Sequence, residues 1–149
     1  MKSKIAEKLL DNNSVFFIAE IGKNFIDREG EMTVKEALEK AKNLVFAAKN
    51  AGADAVKFQT HTVFDEVANL DFKSPHFDSM DRYQWVEKNE MLTPLDEFFI
   101  PLKAYCDALE ITFFSTPMSR GAAKKLAVLD MPFWKLGSAD ITDFVMGEY

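Results

Sequence analysis

Four apolar, strand-like runs along this chain end in polar residues. The runs are residues 16–20, 55–60, 111–116 and 133–138. Nearly continuous apolar runs predict parallel β-strands that are covered on both faces. A polar or charged side chain inside such a strand is costly to bury unless it is paired or lines a site. Because all four runs end in this way, the pattern predicts a shared polar site at the carboxyl ends of the strands.

Helical periodicity occupies the stretches between these runs. A short helix over roughly residues 3–10 is predicted before the first strand. Thr33 and Glu36 match a capping box, and apolar residues then recur every three or four positions. Gly52 stands where a left-handed helix cap is needed, directly before the second strand. The pattern therefore predicts a strand, a helix and a second strand joined by a tight turn.

Two further helices and one helix start complete the predicted order. Pro94 is predicted at the first helical position of one helix, and Ser119 at the start of another that cannot continue through Pro132. Residues 143–149 have the pattern of a fourth helix start. Strands that alternate with helices predict right-handed crossovers and a parallel sheet. The predicted fold class is α/β, with parallel βα units of a TIM (β/α)8 barrel and the first four strands present as a partial barrel.

A long insertion, residues 61–92, separates the second predicted strand from its helix. An insertion of this length in a compact domain is typically a functional lid or cover. It contains both histidines of the chain, His61 and His76. We interpret both as residues of the loop surface rather than as metal ligands.

Composition and charge narrow the classes of partner. The 149 residues include 24 acidic and 18 basic side chains, and the net charge of −6 argues against nucleic-acid binding. An anionic small molecule stays possible as a ligand, because a pocket can be locally basic.

The single Cys106 lies on the apolar side of a predicted helix and is interpreted as a buried structural thiol in a reducing compartment. No stretch reaches the ~20 apolar residues of a membrane span, so we expect a cytoplasmic protein without a membrane partner.

The polar residues at the strand ends suit a small anion that carries phosphate or carboxylate. Lys57 and Gln59 lie on the same side of their strand because side chains alternate, and Lys135 lies within the fourth run. Lysine binds phosphate as a point charge, and hydroxyl groups complete such a cradle. Two structural alternatives stay open: Lys57 could simply reach water, and Glu20 could pair with a strand lysine for stability alone.

Four segments resemble the sialic acid synthase family, in the family's order and at similar spacing. The segments are residues 18–22, 52–60, 114–117 and 135–140. Their sequences are IAEIG, GADAVKFQT, FSTP and KLGSAD, and the second and fourth are specific. The resemblance covers nearly the whole chain from about residue 15. One departure is the segment after Gly22, which lacks the Asn-His found in many members, so the role of this first loop stays open.

The resemblance implies a fold and a reaction. Family members form an eight-stranded TIM barrel followed by a small antifreeze-like domain, and they work as domain-swapped dimers. Residues 1–149 would be the N-terminal portion of that barrel, without its C-terminal half or the antifreeze-like domain, and we expect a homodimer.

The family condenses phosphoenolpyruvate with an N-acyl amino sugar such as N-acetylmannosamine and releases phosphate, in nonulosonic acid and surface polysaccharide biosynthesis. A divalent metal, Mn2+ or Mg2+, polarises the sugar aldehyde. Its ligands come from later strands, so we assign none here.

The family's motifs also imply roles for individual residues. The phosphoenolpyruvate contacts would be Lys57, Thr116, Lys135 and Ser138. Gln59 and Asp140 match positions near the sugar, and Asp140 replaces the Glu of some members. Glu20 matches an acidic residue that is placed to handle a proton or the water that attacks C2 of phosphoenolpyruvate. Glu20 and Asp140 are therefore the predicted catalytic residues.

Two other functions are compatible with the same residues. The chain could be a non-catalytic fragment or a half-barrel scaffold that needs a complementary half, because open sheet edges favour association. It could also be a Schiff-base aldolase with Lys57 or Lys135 as the nucleophile. The aldolase hypothesis ranks below the others, because the family motifs place these lysines against phosphate.

Overall fold

A computed structural model describes residues 2–70 and 81–148, in which three parallel strands alternate with helices. The strands are β1 (Ile18–Gly22), β2 (Ala55–Thr60) and β3 (Thr112–Pro117), paired in the order β1-β2-β3. The helices are α1 (Lys2–Leu10), α2 (Val34–Asn50), α3 (Val63–Glu66), α4 (Arg82–Leu92), α5 (Ile100–Ala108) and α6 (Arg120–Leu126). A π-helical turn over Leu95–Phe99 precedes α5, and a 3-10 turn over Ala127–Leu129 follows α6. The α/β class with a parallel sheet is therefore confirmed.

The local signals at both ends of α2 are confirmed. The Thr33 hydroxyl accepts from the Glu36 amide at 3.2 Å, and the Glu36 carboxylate accepts from the Thr33 amide at 2.8 Å. Gly52 has φ +85°, a left-handed conformation in which a side chain would be strained. The next amide, of Ala53, donates to the Ala48 carbonyl at 3.0 Å, which closes the helix end. These contacts set the position at which β2 can begin.

The starts of the two later helices agree with the sequence to within one residue. Ser119 caps α6, because its hydroxyl accepts from the Ala122 amide at 3.1 Å. Pro94 lies one position earlier than predicted, as the cap with extended ψ of 151°, and the turn that follows is π-helical. The wider turn accommodates Phe98 and Phe99, two consecutive rings that are both fully buried.

The predicted fourth strand is wrong: residues 133–138 make no ladder with β3 in the described part of the chain. Phe133 instead packs its ring against Phe114, with 4.4 Å between centroids, and against Phe16. Side-chain packing thus takes the place of backbone pairing, and the next three residues, 134–136, are exposed. The predicted helix start at 143–149 is a single 3-10 turn, Met146–Glu148.

The insertion 61–92 is not one continuous loop, because α3 and α4 lie within it. Helix α4 begins with a capping box formed by Asp81 and Gln84. The Asp81 carboxylate accepts from the Gln84 amide at 2.7 Å, and the Gln84 side chain accepts from the Asp81 amide at 3.4 Å. Residues 71–80, with His76, lie outside the described residues, so a covering function for the insertion stays a prediction.

The sheet has two chemically different faces. On the helix-covered face, the rings of Phe58 and Phe113 stack with 5.5 Å between their centroids. The Phe25 ring packs against both Phe58 and Phe98, and Phe98 lies in the turn before α5. We call the opposite side the Lys57 face; it carries Glu20, Lys57, Gln59 and Thr116, together with Phe114. The helix-covered face therefore carries the stacked phenylalanine rings, whereas the Lys57 face carries the polar residues beside the buried Phe114.

The structure bears on the predicted burial of Cys106 and on the search for a membrane-spanning helix. Cys106 is fully buried, as predicted, and burial raises the pKa of its thiol to about 12, so it stays protonated and inert. No helix among residues 2–70 and 81–148 combines the length and the apolar character that crossing a bilayer requires.

Candidate functional site

The strand register brings three of the predicted site residues into contact at the carboxyl ends of the strands. Glu20 is paired with Lys57 across β1 and β2, and their side chains form an ion pair. The Lys57 ammonium group also donates to the Thr116 hydroxyl on β3 at 3.3 Å. Gln59 is the register partner of Thr116. Lys57 therefore bridges all three strands, and the predicted shared site forms around it.

Gly22 leaves room for the side chains beside it. The β1–β2 register shifts between Glu20 and Gly22, and Gly22 has φ +55°. A side chain at this position would lie 3.2 Å from a Glu20 carboxylate oxygen and 3.9 Å from the Gln59 amide. A glycine both permits the left-handed backbone and keeps these two polar side chains close together.

Burial differs across the cluster in a way that favours chemistry. The Lys57 side chain is only 13% exposed and Thr116 is buried, whereas the Glu20 side chain is 50% exposed. A largely buried cation is fixed in place and little screened by salt. An accessible carboxylate beside it can accept or release a proton. The arrangement can therefore hold an anion and move a proton next to it.

The remaining predicted site residues lie on the segment 133–140. Gly137 is adjacent to Thr116, because a side chain built on it would reach the Thr116 methyl group at 4.0 Å. The Asp140 carboxylate folds back over Gly137, and Ser138 and Asp140 share the 3-10 turn Ser138–Asp140. Lys135 is exposed, and its ammonium group donates to the Leu136 carbonyl. The structure thus brings the 137–140 turn to the site but leaves Lys135 on the surface.

Interpreting His61 as a surface residue was wrong. His61 is 2% exposed, and its Nδ1 lies 2.7 Å from a Glu66 carboxylate oxygen. The Glu66 side chain is itself 3% exposed and has Arg82 at 4.0 Å. The contact forms because α3 turns the chain back immediately after β2. The signal was available in the sequence, since His61 continues the alternation of Lys57 and Gln59.

Lys23 adds a further cation near this pair. Its ammonium group lies 5.4 Å from the centroid of the Trp85 ring. Burial lowers the pKa of Lys23, the Glu66 carboxylate opposes that shift, and Arg82 adds to it. Lys23 belongs to the loop whose role the sequence left open, and the structure places it against α4.

Hydrogen bonds between hydroxyl groups fix the loop after β2 to β3 and α6. Thr60 and Ser115 hydroxyls lie 2.8 Å apart, and those of Thr62 and Ser119 lie 2.5 Å apart. The Asp65 carboxylate accepts from the Gly121 amide at 2.6 Å. Burial opposes the charge on Asp65, but hydrogen bonds from Thr62, Gly121 and Ser119 hold the pKa of its carboxyl below the usual range. This network makes the carboxyl end of β2 a fixed frame.

No three His, Cys, Asp or Glu side chains within residues 2–70 and 81–148 come together as a cation site. The divalent metal that the family resemblance implies stays a prediction.

Comparison with known sequences places this geometry in a family. The profile of the NeuB family matches residues 44–149. An N-acetylneuraminate-9-phosphate synthase of Drosophila melanogaster is 31% identical over 144 residues, which cover 94% of this chain and 35% of the relative. An N,N'-diacetyllegionaminic acid synthase of Legionella pneumophila is 33% identical over 131 residues, which cover 86% of this chain and 34% of the relative. The chain thus spans about a third of the length of the curated relatives it matches.

A solved structure supports the same assignment. The N-acetylneuraminic acid synthetase of Leptospira borgpetersenii, in complex with citrate, superposes with a TM-score of 0.65 at 26% identity. The match covers 91% of this chain and 40% of that structure. Since the family profile matches well over half of the residues and the fold agrees, this chain belongs to the NeuB family, the family of the sialic acid synthases.

Proposed function

We propose that this chain supplies the phosphoenolpyruvate site of a nonulosonic acid synthase. The reaction condenses phosphoenolpyruvate with an N-acyl amino sugar, such as N-acetylmannosamine, and releases phosphate. The observation that carries the proposal is the contact of Lys57 with both Glu20 and Thr116 at the carboxyl ends of three parallel strands. Ligands of TIM barrels bind at this end of the strands.

The binding roles follow from charge and burial. Lys57 offers a largely buried positive charge to the phosphate or carboxylate of the ligand, and the Thr116 hydroxyl adds a neutral donor. Because Lys57 already pairs with Glu20, the ligand competes with Glu20 for this cation. Ser138 and Asp140 would approach the same ligand from the 137–140 turn, and Gln59 would contact the sugar.

Proton handling is proposed for the Glu20 carboxylate. It is half exposed and lies next to Lys57, so a water or a substrate hydroxyl can reach it. When an anion draws Lys57 away, the Glu20 carboxylate loses its partner and becomes free to accept a proton from the water that adds at C2 of phosphoenolpyruvate. The C–O bond to phosphate then breaks, and phosphate leaves. In the family, a divalent metal supplies the Lewis acid for the sugar aldehyde. The described residues account for anion binding and proton transfer only.

Calorimetric titration of the purified chain with phosphoenolpyruvate tests the proposal. We expect saturable binding that Lys57→Met weakens by about 30-fold or more, because the variant removes a largely buried charge partner. Lys124→Met is the matched control, since Lys124 is exposed on α6, outside the contacts made by Lys57. Equal affinity in the parent and the Lys57 variant would refute the assignment of the anion site.

The two other functions make distinct predictions. A scaffold would fold and associate without binding phosphoenolpyruvate, so the same titration separates it from a synthase site. A Schiff-base lysine needs a free amine that can reach a carbonyl carbon, whereas Lys57 is held in an ion pair with Glu20. Borohydride reduction in the presence of a ketoacid should therefore give no covalent adduct on Lys57. The homodimer implied by the family stays a prediction that native mass measurement can test.

A further inference from the structure

The His61–Glu66 pair directly follows the end of β2, and the proposed chemistry does not use it. Both side chains are almost fully buried, and the Glu66 carboxylate accepts from His61 Nδ1 at 2.7 Å. The other ring nitrogen, Nε2, is buried without a hydrogen-bond partner in the described part of the chain. Buried polar atoms are nearly always hydrogen-bonded, so an orphan of this kind requires an explanation.

The hydroxyl pairs on either side of His61 determine the face on which it lies. Thr60 contacts Ser115, and Thr62 contacts Ser119, so residues 60 and 62 both turn toward β3 and the start of α6. Thr62 also has an extended backbone, with φ −138° and ψ 120°. Successive side chains of an extended chain point to opposite sides. His61 therefore lies on the Lys57 face, as the third member of the alternation after Lys57 and Gln59.

The Glu66 contact also fixes where the imidazole carries its hydrogen. An ionised carboxylate only accepts hydrogen bonds, so the hydrogen of a neutral ring lies on Nδ1. Nε2 then presents a lone pair, which accepts from a hydroxyl or amide donor. The Arg82 guanidinium lies 4.0 Å from the other Glu66 oxygen. The pair is thus an oriented acceptor for a hydroxyl hydrogen.

We infer that His61 is a further ligand-binding residue, whose Nε2 accepts a hydrogen bond from a hydroxyl group of the sugar substrate. Glu66 is a positioning residue that acts through the imidazole. The inference rests on the proposed function, because the sugar enters beside an anion held by Lys57. Since Nε2 is buried, the side chains that cover it must shift when the sugar enters. The sugar hydroxyl would then satisfy a nitrogen that the described residues leave unpaired.

Nitrogen NMR of the imidazole rings tests this inference on the intact chain. The sequence has two histidines, so His76→Gln leaves one imidazole and assigns the signals of His61. We expect the free protein to show hydrogen on Nδ1 and a lone pair on Nε2. Phosphoenolpyruvate is added first, and N-acetylmannosamine second. The Nε2 resonance should move on addition of the sugar, in the direction that hydrogen-bond acceptance produces.

The outcomes separate this inference from the proposed function. An Nε2 signal that stays fixed while calorimetry shows sugar binding overturns the inference and leaves the anion site intact. A hydrogen on Nε2 in the free protein also overturns it, as does phosphoenolpyruvate binding without any sugar binding. If neither ligand binds the folded chain, the proposed function fails and the inference fails with it.

A positioning role for Glu66 has its own signature. Glu66→Gln should mix the two ring tautomers, because an amide can either donate to Nδ1 or accept from it. Sugar affinity should fall about fivefold to tenfold, the usual value of one net hydrogen bond, while phosphoenolpyruvate affinity stays the same. Glu87→Gln on the exposed side of α4 is the matched control. An unchanged tautomer and an unchanged sugar affinity in Glu66→Gln would contradict the role.

Discussion

The carboxyl end of β2 and the segment 133–140 carry equally specific family motifs, yet the structure holds them differently. Lys57 at the end of β2 lies between two neighbouring strands, and hydroxyl pairs fix the loop that follows to β3 and α6. The segment 133–140 is anchored through the Phe133 ring and forms no ladder with β3 in the described part of the chain. A motif on a strand that is paired on both sides is held rigidly. A motif on a segment that is anchored by one aromatic ring leaves its polar residues near the surface.

This difference bears on the proposed contributions of the two lysines to anion binding. Lys57 is fixed before any ligand arrives, so little conformational entropy is lost when it contacts an anion. Lys135 is exposed and would have to be ordered on binding.

The largest contrast is expected between two phenylalanines. Phe113→Ala should reduce the free energy of unfolding by about 3–5 kcal/mol, because Phe113 is fully buried against Phe58. Phe133→Ala should cost roughly half as much, since Phe133 is only partly buried. Urea unfolding of both variants measures the difference. Equal losses would show that 133–140 is as firmly held as the sheet.

The second contrast is in the phosphoenolpyruvate affinity of variants at Lys57 and Lys135. Lys57→Met should weaken phosphoenolpyruvate binding by ~2 kcal/mol or more, whereas Lys135→Met should have a smaller effect, because exposed charges contribute less than buried ones. Calorimetric titration of both variants makes the comparison. A larger loss for Lys135 would mean that 133–140 closes over the ligand when it binds.

A smaller contrast concerns two serines. Ser119→Ala should reduce the free energy of unfolding by about 1 kcal/mol, because it removes the cap of α6 and the contact with Thr62. Ser138→Ala should change it very little, since Ser138 is exposed and begins only a short 3-10 turn. Thermal and urea unfolding report both values. A measurable loss for Ser138 alone would contradict the view of β2 and its loop as the fixed frame.

The smallest effect is the pH dependence of the Asp65 contact. Hydrogen bonds hold the Asp65 pKa below that of the unfolded chain, although burial opposes them. The stabilisation is therefore present above the unfolded value of about 4 and is lost as the pH falls through the lower folded value. Since Asp65 is exposed, we expect less than ~1 kcal/mol. Urea unfolding of the parent and Asp65→Asn between pH 7 and pH 3 should converge at low pH, and a constant difference would rule out this linkage.

Local signals predicted those parts of the fold that a few neighbouring residues determine. The capping box at Thr33, the glycine at 52 and the cap at Ser119 each satisfy backbone groups within one turn. The same kind of signal at Asp81 marked α4, and it was missed because the long insertion was interpreted as a single loop. The alternation of Lys57, Gln59 and His61 was equally readable from the sequence.

By itself, the sequence determined the parallel βα order, the family and the cluster at the strand ends, because these depend on apolar periodicity and on motifs within single strands. Only the tertiary structure decided which residues of these motifs meet. It paired Lys57 with Glu20 and Thr116, buried His61 against Glu66, and left 133–138 outside the ladder. The physical reason is that strand pairing and burial depend on partners distant in the chain, and apolar character alone does not specify those partners.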